Sequence, residues 1–136
     1  MLGFTLVELV VVMAILAILL TLGAVNYQQA LKKARDGKRK VDLESIRSAL
    51  EMARSDCSAY PIGILISGQA VACGGTTYIT ISNDPHSSSY RYIYNGTANS
   101  YTLCAYLETG ALTSACPGAC GGNCGSDNCN YTTCNP

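Results

Sequence analysis

Gly3-Phe4-Thr5-Leu6-Val7-Glu8, with the apolar run that continues from it to Val25, is the stretch that decides the fold. Between Leu6 and Val25 only Glu8 and Thr21 are polar. About 20 apolar residues in a helix rise roughly 30 Å, enough to cross a bilayer. A carboxylate inside such a run costs roughly 2.5–3.5 kcal/mol at the bilayer centre and less near its edge. Glu8 therefore calls for a partner. Thr5 and Glu8 have the spacing of a capping box, in which Glu8 returns to the backbone N–H of Thr5. The alternative partner is a positive charge on a neighbouring chain. The spacing by itself leaves both open.

Outward from this run, Asn26-Tyr27-Gln28-Gln29 makes a polar exit, and residues 32–40 hold six of the nine basic residues: Lys32, Lys33, Arg35, Lys38, Arg39 and Lys40. A solvated helix face is one reading of this cluster; a phosphate-attracting groove on an assembly is the other. Leu43, Ile46, Leu50, Ala53 and Cys57 then recur at steps of three and four, the apolar stripe of an amphipathic helix. The pattern predicts one helix from about Thr5 to about Asp56, roughly 75 Å long at 1.5 Å per residue. It is apolar all round in its first half and striped in its second, and Tyr60-Pro61 ends it.

The chain has 136 residues and no net formal charge, so bulk charge names no partner. Its eight cysteines, Cys57, Cys73, Cys104, Cys116, Cys120, Cys124, Cys129 and Cys134, all follow the apolar run. An even, clustered set argues for disulfides in an oxidising compartment, which places everything after the apolar helix outside the cytoplasm. The positive-inside rule would put the basic cluster in the cytoplasm, and the cysteines outweigh it. The expected pairs are Cys57–Cys73, closing the loop after the helix, and Cys104–Cys116. Cys120, Cys124, Cys129 and Cys134 then pair among themselves.

Between the helix and the cysteine-rich tail, Thr77–Ile81, Tyr90–Tyr94 and Tyr101–Leu107 read as strands. Asn83-Asp84-Pro85 reads as a turn, and Asn95-Gly96 as the hairpin turn between the last two strands. An antiparallel sheet of about three strands should pack on the helix stripe. Residues 110–136 have little apolar content, so cross-links must fix them.

No constellation points to catalysis. There is no nucleophile elbow and no phosphate-binding Gly-rich loop after a strand, and the single histidine, His86, sits in the Asp-Pro loop. The tail cysteines lack a C-x-x-C pair, which argues against zinc or an iron–sulfur cluster. No cofactor and no metal are expected. Asn95-Gly96-Thr97 and Asn130-Tyr131-Thr132 are glycosylation sequons of weak meaning.

Gly3-Phe4-Thr5-Leu6-Val7-Glu8 before an apolar helix resembles the N-terminus of type IV pilins and type II secretion pseudopilins. The resemblance is sharp over residues 3–25 and looser beyond, where the Asp-Pro turn, the Tyr-x-Tyr strand and the Tyr-x-Leu strand resemble the heads of such subunits. It implies cleavage between Gly3 and Phe4 by an inner-membrane prepilin peptidase and N-methylation of Phe4. It also implies that Glu8 meets the terminal amine of an adjacent subunit during assembly. Asn123, Asp127 and Asn128 occupy the region where pseudopilins hold Ca²⁺, but a single carboxylate makes a poor site.

The resulting expectation is an α+β fold: a long N-terminal helix packed on a small antiparallel head with a disulfide-rich tail. Its parts are a leader remnant (1–3), a fibre-core half-helix (4–25), an amphipathic half-helix (26–56), a β head (57–109) and a Cys-rich loop (110–136). The expected function is that of a major pilin, a homo-oligomeric helical filament built at an assembly platform. Such a subunit resides in the inner membrane and then in an extracellular fibre, serving adhesion, twitching motility or DNA uptake through a surface or DNA ligand. The alternatives are a type II secretion major pseudopilin and a membrane-anchored disulfide-rich binding module that does not polymerise.

Overall fold

The computed structural model describes residues 3, 5–86, 89–110, 113–114, 116 and 122–135. One helix, α1, runs from Leu6 to Cys57. The chain divides into two compact units, Met1–Ala34 and Arg35–Pro136, and α1 contributes to both.

In the first unit α1 starts where the capping residues place it. Glu8 N–H donates to Thr5 Oγ1 (3.3 Å), and Thr5 N–H donates to Glu8 Oε2 (3.1 Å). This is the reciprocal capping box. From Leu6 to Leu20 the large hydrophobic side chains are exposed, Leu6 by 78% and Leu20 by 72%. By length and composition α1 holds a stretch able to cross a membrane.

In the second unit the stripe does what its spacing predicts. Leu43, Ile46, Leu50 and Ala53 are buried, together with Tyr92, Tyr94, Tyr101, Leu103 and Ala105 from the sheet. Burying each Leu or Ile side chain stabilises by about 1.5–3 kcal/mol, an upper bound because the unfolded chain is partly compact. The helix stops because Ser58 takes a left-handed φ of 60° while its N–H still bonds the Arg54 carbonyl (2.8 Å). Tyr60 then folds back into the core.

The strands are β1 (Gly63–Ile66), β2 (Ala70–Cys73), β3 (Thr76–Thr80), β4 (Ile93–Gly96), β5 (Tyr101–Ala105), β6 (Thr113–Ser114) and β7 (Tyr131–Cys134). They form a five-stranded sheet of order β1-β4-β5-β7-β6 and a separate hairpin, β2-β3. All pairs are antiparallel except β6-β7. Side chains alternate across β5. Tyr101, Leu103 and Ala105 join the core with α1, whereas Cys104 joins Ile93 and Cys124 in a second, smaller cluster.

Three sequence readings are corrected here. The main sheet has five strands rather than about three: Gly63–Ile66 adds β1 and the tail supplies β6 and β7, while the expected strand Thr77–Ile81 becomes β3 of the separate hairpin instead. Tyr131-Thr132-Thr133-Cys134 has strand-forming residues, and β5 offers it a free edge to pair with. Tyr90–Tyr92 is not strand; β4 begins at Ile93. Asn95-Gly96 is not the hairpin turn: Gly96 pairs with Tyr101 inside the ladder, and the turn is closed by Thr97 N–H on the Ser100 carbonyl (2.8 Å). A glycine is needed at 96 for a tertiary reason, since a Cβ there would collide with the Tyr94 hydroxyl and the Pro61 carbonyl.

Disulfides join Cys57–Cys73, Cys116–Cys134 and Cys124–Cys129. Cys104 is also disulfide-bonded. Cys120 lies outside the described residues, among which no cysteine is free. Cys57–Cys73 is as expected from sequence. The expected Cys104–Cys116 pair is wrong: Cys116 joins Cys134 because β7 brings Cys134 alongside β6, with Cα atoms 5.9 Å apart. Confining Cys134 to partners among Cys120, Cys124 and Cys129 is wrong for the same reason.

Candidate functional site

Two groups of residues carry the chemistry, one in each unit. The first is the start of α1. Gly3 is exposed and outside regular structure, while Phe4, the expected N-methylated residue, lies outside the described residues. Glu8 Oε2 accepts from the Thr5 backbone (3.1 Å) and from Thr5 Oγ1 (3.0 Å). Glu8 Oε1 has no partner among the described residues. The carboxylate thus satisfies its own helix end with one oxygen and keeps the other open. Around it stands an exposed apolar surface, with Leu6, Val7, Leu9 and Val10 each more than half exposed.

The second group is a charge cluster in the head. Arg39 is fully buried, 0% exposed. Its Nε and Nη2 donate to the two oxygens of Asp84 (2.7 and 2.8 Å), and its Nη1 to Asp36 (2.7 Å) and Glu108 (3.0 Å). Arg35 holds Glu108 in a second two-pronged pair (2.7 and 2.6 Å). Asp36 also accepts from the backbone N–H of Glu108 and of Thr109, both 2.8 Å, and from the Thr109 hydroxyl, 2.6 Å. Two cations and three carboxylates fasten the Asp84 turn and the loop after β5 onto one stretch of α1. Two-pronged guanidinium pairs fix orientation as well as charge.

The protonation states follow from this geometry. Hydrogen bonds from Arg35 are the main reason the Glu108 carboxyl falls to about 2; burial opposes them and Arg39 assists. Burial pushes Asp36 up, but the bonds from Thr109, the Glu108 backbone and Arg39 more than offset it, so its pKa is lowered. Burial likewise pushes Arg39 down, and Asp84, Asp36 and Glu108 reverse this and hold it cationic. Close by, the Tyr92 hydroxyl donates to Asp42 (2.9 Å), and burial raises its pKa.

The basic cluster at 32–40 is therefore not one uniformly solvated face. Arg35 and Arg39 turn into the head, Lys38 pairs with Asp42 (2.8 Å), and Lys40 sits over the Tyr131 ring (5.6 Å). The signal that locates Arg39 was present in the stripe: counting back from Leu43 by four and then three reaches Arg39 and Asp36. His86 is exposed and packs edge-on against Tyr90 (5.5 Å). Asn130 of the second sequon is engaged at both ends, with Leu107 N–H (2.6 Å) and Leu107 C=O (2.7 Å). Among the described residues no group of acidic, His and Cys side chains is arranged to hold a metal.

Two protein-family models match the chain. One, described as Type II secretion system (T2SS), protein G, matches residues 26–114. The other, described as Prokaryotic N-terminal methylation motif, matches residues 2–24. No curated protein and no solved structure matches.

Proposed function

This chain belongs to the family of the type II secretion system protein G, within the pilins and pseudopilins, and we propose that it is the repeating subunit of an extracellular type IV pilus. The families it falls in are structural, and its N-terminal motif and apolar helix fit anchoring in a membrane before assembly. The observation that carries the proposal is the exposed apolar helix, Leu6–Leu20, with one carboxylate at its start. A surface that is apolar on every side cannot remain in water, so it passes from lipid into contact with other copies of itself.

In this reading a prepilin peptidase cleaves after Gly3, and Phe4 becomes the methylated terminus. Glu8 Oε1 receives the terminal amine of the next subunit while Oε2 keeps the cap. The disulfide-fixed head faces outward, where oxidising conditions preserve its bridges. Adhesion, motility and DNA uptake are the roles open to such a fibre. The second reading, a short pseudopilus of a type II secretion system, is favoured by the match of residues 26–114 to protein G.

Immunogold electron microscopy with an antibody to the head tests the choice. Long labelled fibres on intact cells are expected. Label confined to the cell envelope would give the second reading. Gly3→Val is expected to abolish maturation in either case, because a pocket built for a residue without a side chain excludes a branched one. A normal mature mass in that variant would remove the cleavage assignment.

A further inference from the structure

Beside the turn that carries Asp84 lies a cleft of about 360 Å³, lined by Ile66, Ser67, Asn83, Tyr90 and Arg91. Its size falls in the range of small-molecule sites. The charge pattern at its rim is unusual for this chain. Asp84 is buried with Arg39 and the His86 N–H on its oxygens, and Asp127 accepts from the Tyr90 hydroxyl (2.7 Å). Arg91 is exposed, and among the described residues its guanidinium has no partner. The Asn83 carboxamide is likewise exposed and unengaged. Ser67 Oγ accepts from the Tyr92 N–H (2.9 Å), which leaves its own proton to donate. The cleft therefore presents a cation, an amide and a hydroxyl donor; Asp84 is compensated by Arg39, and Asp127, still anionic, is held on the Tyr90 hydroxyl at the rim.

The wall that carries Arg91 is irregular chain, yet it is held from several sides. Arg91 N–H donates to the Cys124 carbonyl (3.0 Å), at the start of the short loop closed by Cys124–Cys129. Gly125 of that loop, with φ +128°, lies so close to Ser89 that a Cβ would strike its carbonyl oxygen. The Tyr90 ring stacks on Tyr106 (5.2 Å between centroids, 13° between planes) and has Arg39 above it at 5.9 Å. A wall fixed in this way loses little freedom when a ligand arrives. Because other groups already pack on the Tyr90 ring, the cleft offers no open aromatic platform for a nucleobase.

From these observations we infer that the cleft at Ser67, Asn83 and Arg91 binds a carboxylate-bearing sugar. The carboxylate takes the Arg91 guanidinium, and ring hydroxyls exchange hydrogen bonds with Asn83 and Ser67. The Cys124–Cys129 loop acts as the buttress of the site. The inference does not depend on which filament the chain builds, since the cleft belongs to a single subunit.

The test uses the full-length subunit in detergent, with D-glucuronate and D-glucose as probes in saturation-transfer NMR. Glucuronate is expected to saturate with a Kd of roughly 1 mM and glucose to bind at least about tenfold more weakly. Arg91→Ala should weaken glucuronate by about tenfold or more, a change the fold tolerates because the side chain has no partner to lose. Arg47→Ala, on the helix away from the cleft, should leave it unchanged. Equal binding of the two sugars, no saturable glucuronate signal, or unaltered affinity in Arg91→Ala overturns the proposal. Inorganic phosphate displacing glucuronate with equal affinity overturns the sugar assignment in favour of a general anion site. Replacing Cys124 and Cys129 together by serine should weaken glucuronate several-fold, and full affinity in that variant removes the buttress role.

Discussion

Between Leu6 and Leu20 helix α1 exposes its large hydrophobic side chains, whereas between Arg35 and Cys57 the same helix completely buries a guanidinium. Both departures run against the usual partition of residues between core and solvent. The physical difference is the location of the partners. Arg39 finds Asp36, Asp84 and Glu108 within its own chain, so its desolvation is offset at once. The described apolar side chains of the first segment are exposed, so their burial waits for lipid or other copies. One segment carries assembly and the other carries head stability, and substitutions in the two should have separable consequences.

The sharpest test of that separation is Glu8→Gln. Glutamine also completes a capping box, so the helix start should persist. If Glu8 pairs with a neighbour's amine, each contact loses about 3–5 kcal/mol, because a buried charge is left alone. Filament counts by electron microscopy are expected to fall to few or none, with the head's unfolding midpoint unmoved. Normal fibres would return Glu8 to a purely capping role.

Arg39→Ala should do the reverse. It leaves three carboxylates without their shared cation and is expected to cost the head about 3–5 kcal/mol. Denaturant unfolding of the full chain in detergent reads this, and a loss under about 1 kcal/mol would mean that solvent already screens the cluster. Replacing Cys57 and Cys73 together by serine should cost about 2–4 kcal/mol in the same assay, since it frees the loop after the helix in the unfolded chain. Helix content below residue 35 should stay constant in both variants.

The smallest effect concerns pH. Glu108 has a folded pKa of about 2 against an ordinary 4.5, and Asp36 is lowered as well. A depressed carboxyl contributes stability that is fully present above the unfolded pKa and is lost as pH falls through the folded one. Head stability should therefore decline between about pH 4.5 and pH 2, by roughly 2 kcal/mol from Glu108 after allowing for partial screening. Urea midpoints at pH 6, 4 and 2.5 check this, and Glu108→Gln should flatten the slope.

Local rules made part of this molecule legible in advance. The helix limits follow from Thr5 and Glu8 at one end and the chain before Pro61 at the other, because caps and proline act within a turn. The stripe at 43, 46, 50 and 53 follows from the helical period, and Cys57–Cys73 from the short loop between them. Arg39 was misread because six basic residues in nine positions look solvated, and composition outweighed the period that placed it on the buried face.

Sequence alone determined the membrane-length apolar helix, its amphipathic second half and the oxidised state of the chain after it. These depend on residues a few positions apart, where spacing and chemistry act directly. Tertiary structure decided that β7 joins β5, that Cys116 meets Cys134, that Gly96 yields space to Tyr94, and that Arg39 is shared by Asp36, Asp84 and Glu108. Each of these joins residues that are, with few exceptions, far apart in the chain, and the closure that brings them together is specified only by the packing of the whole head.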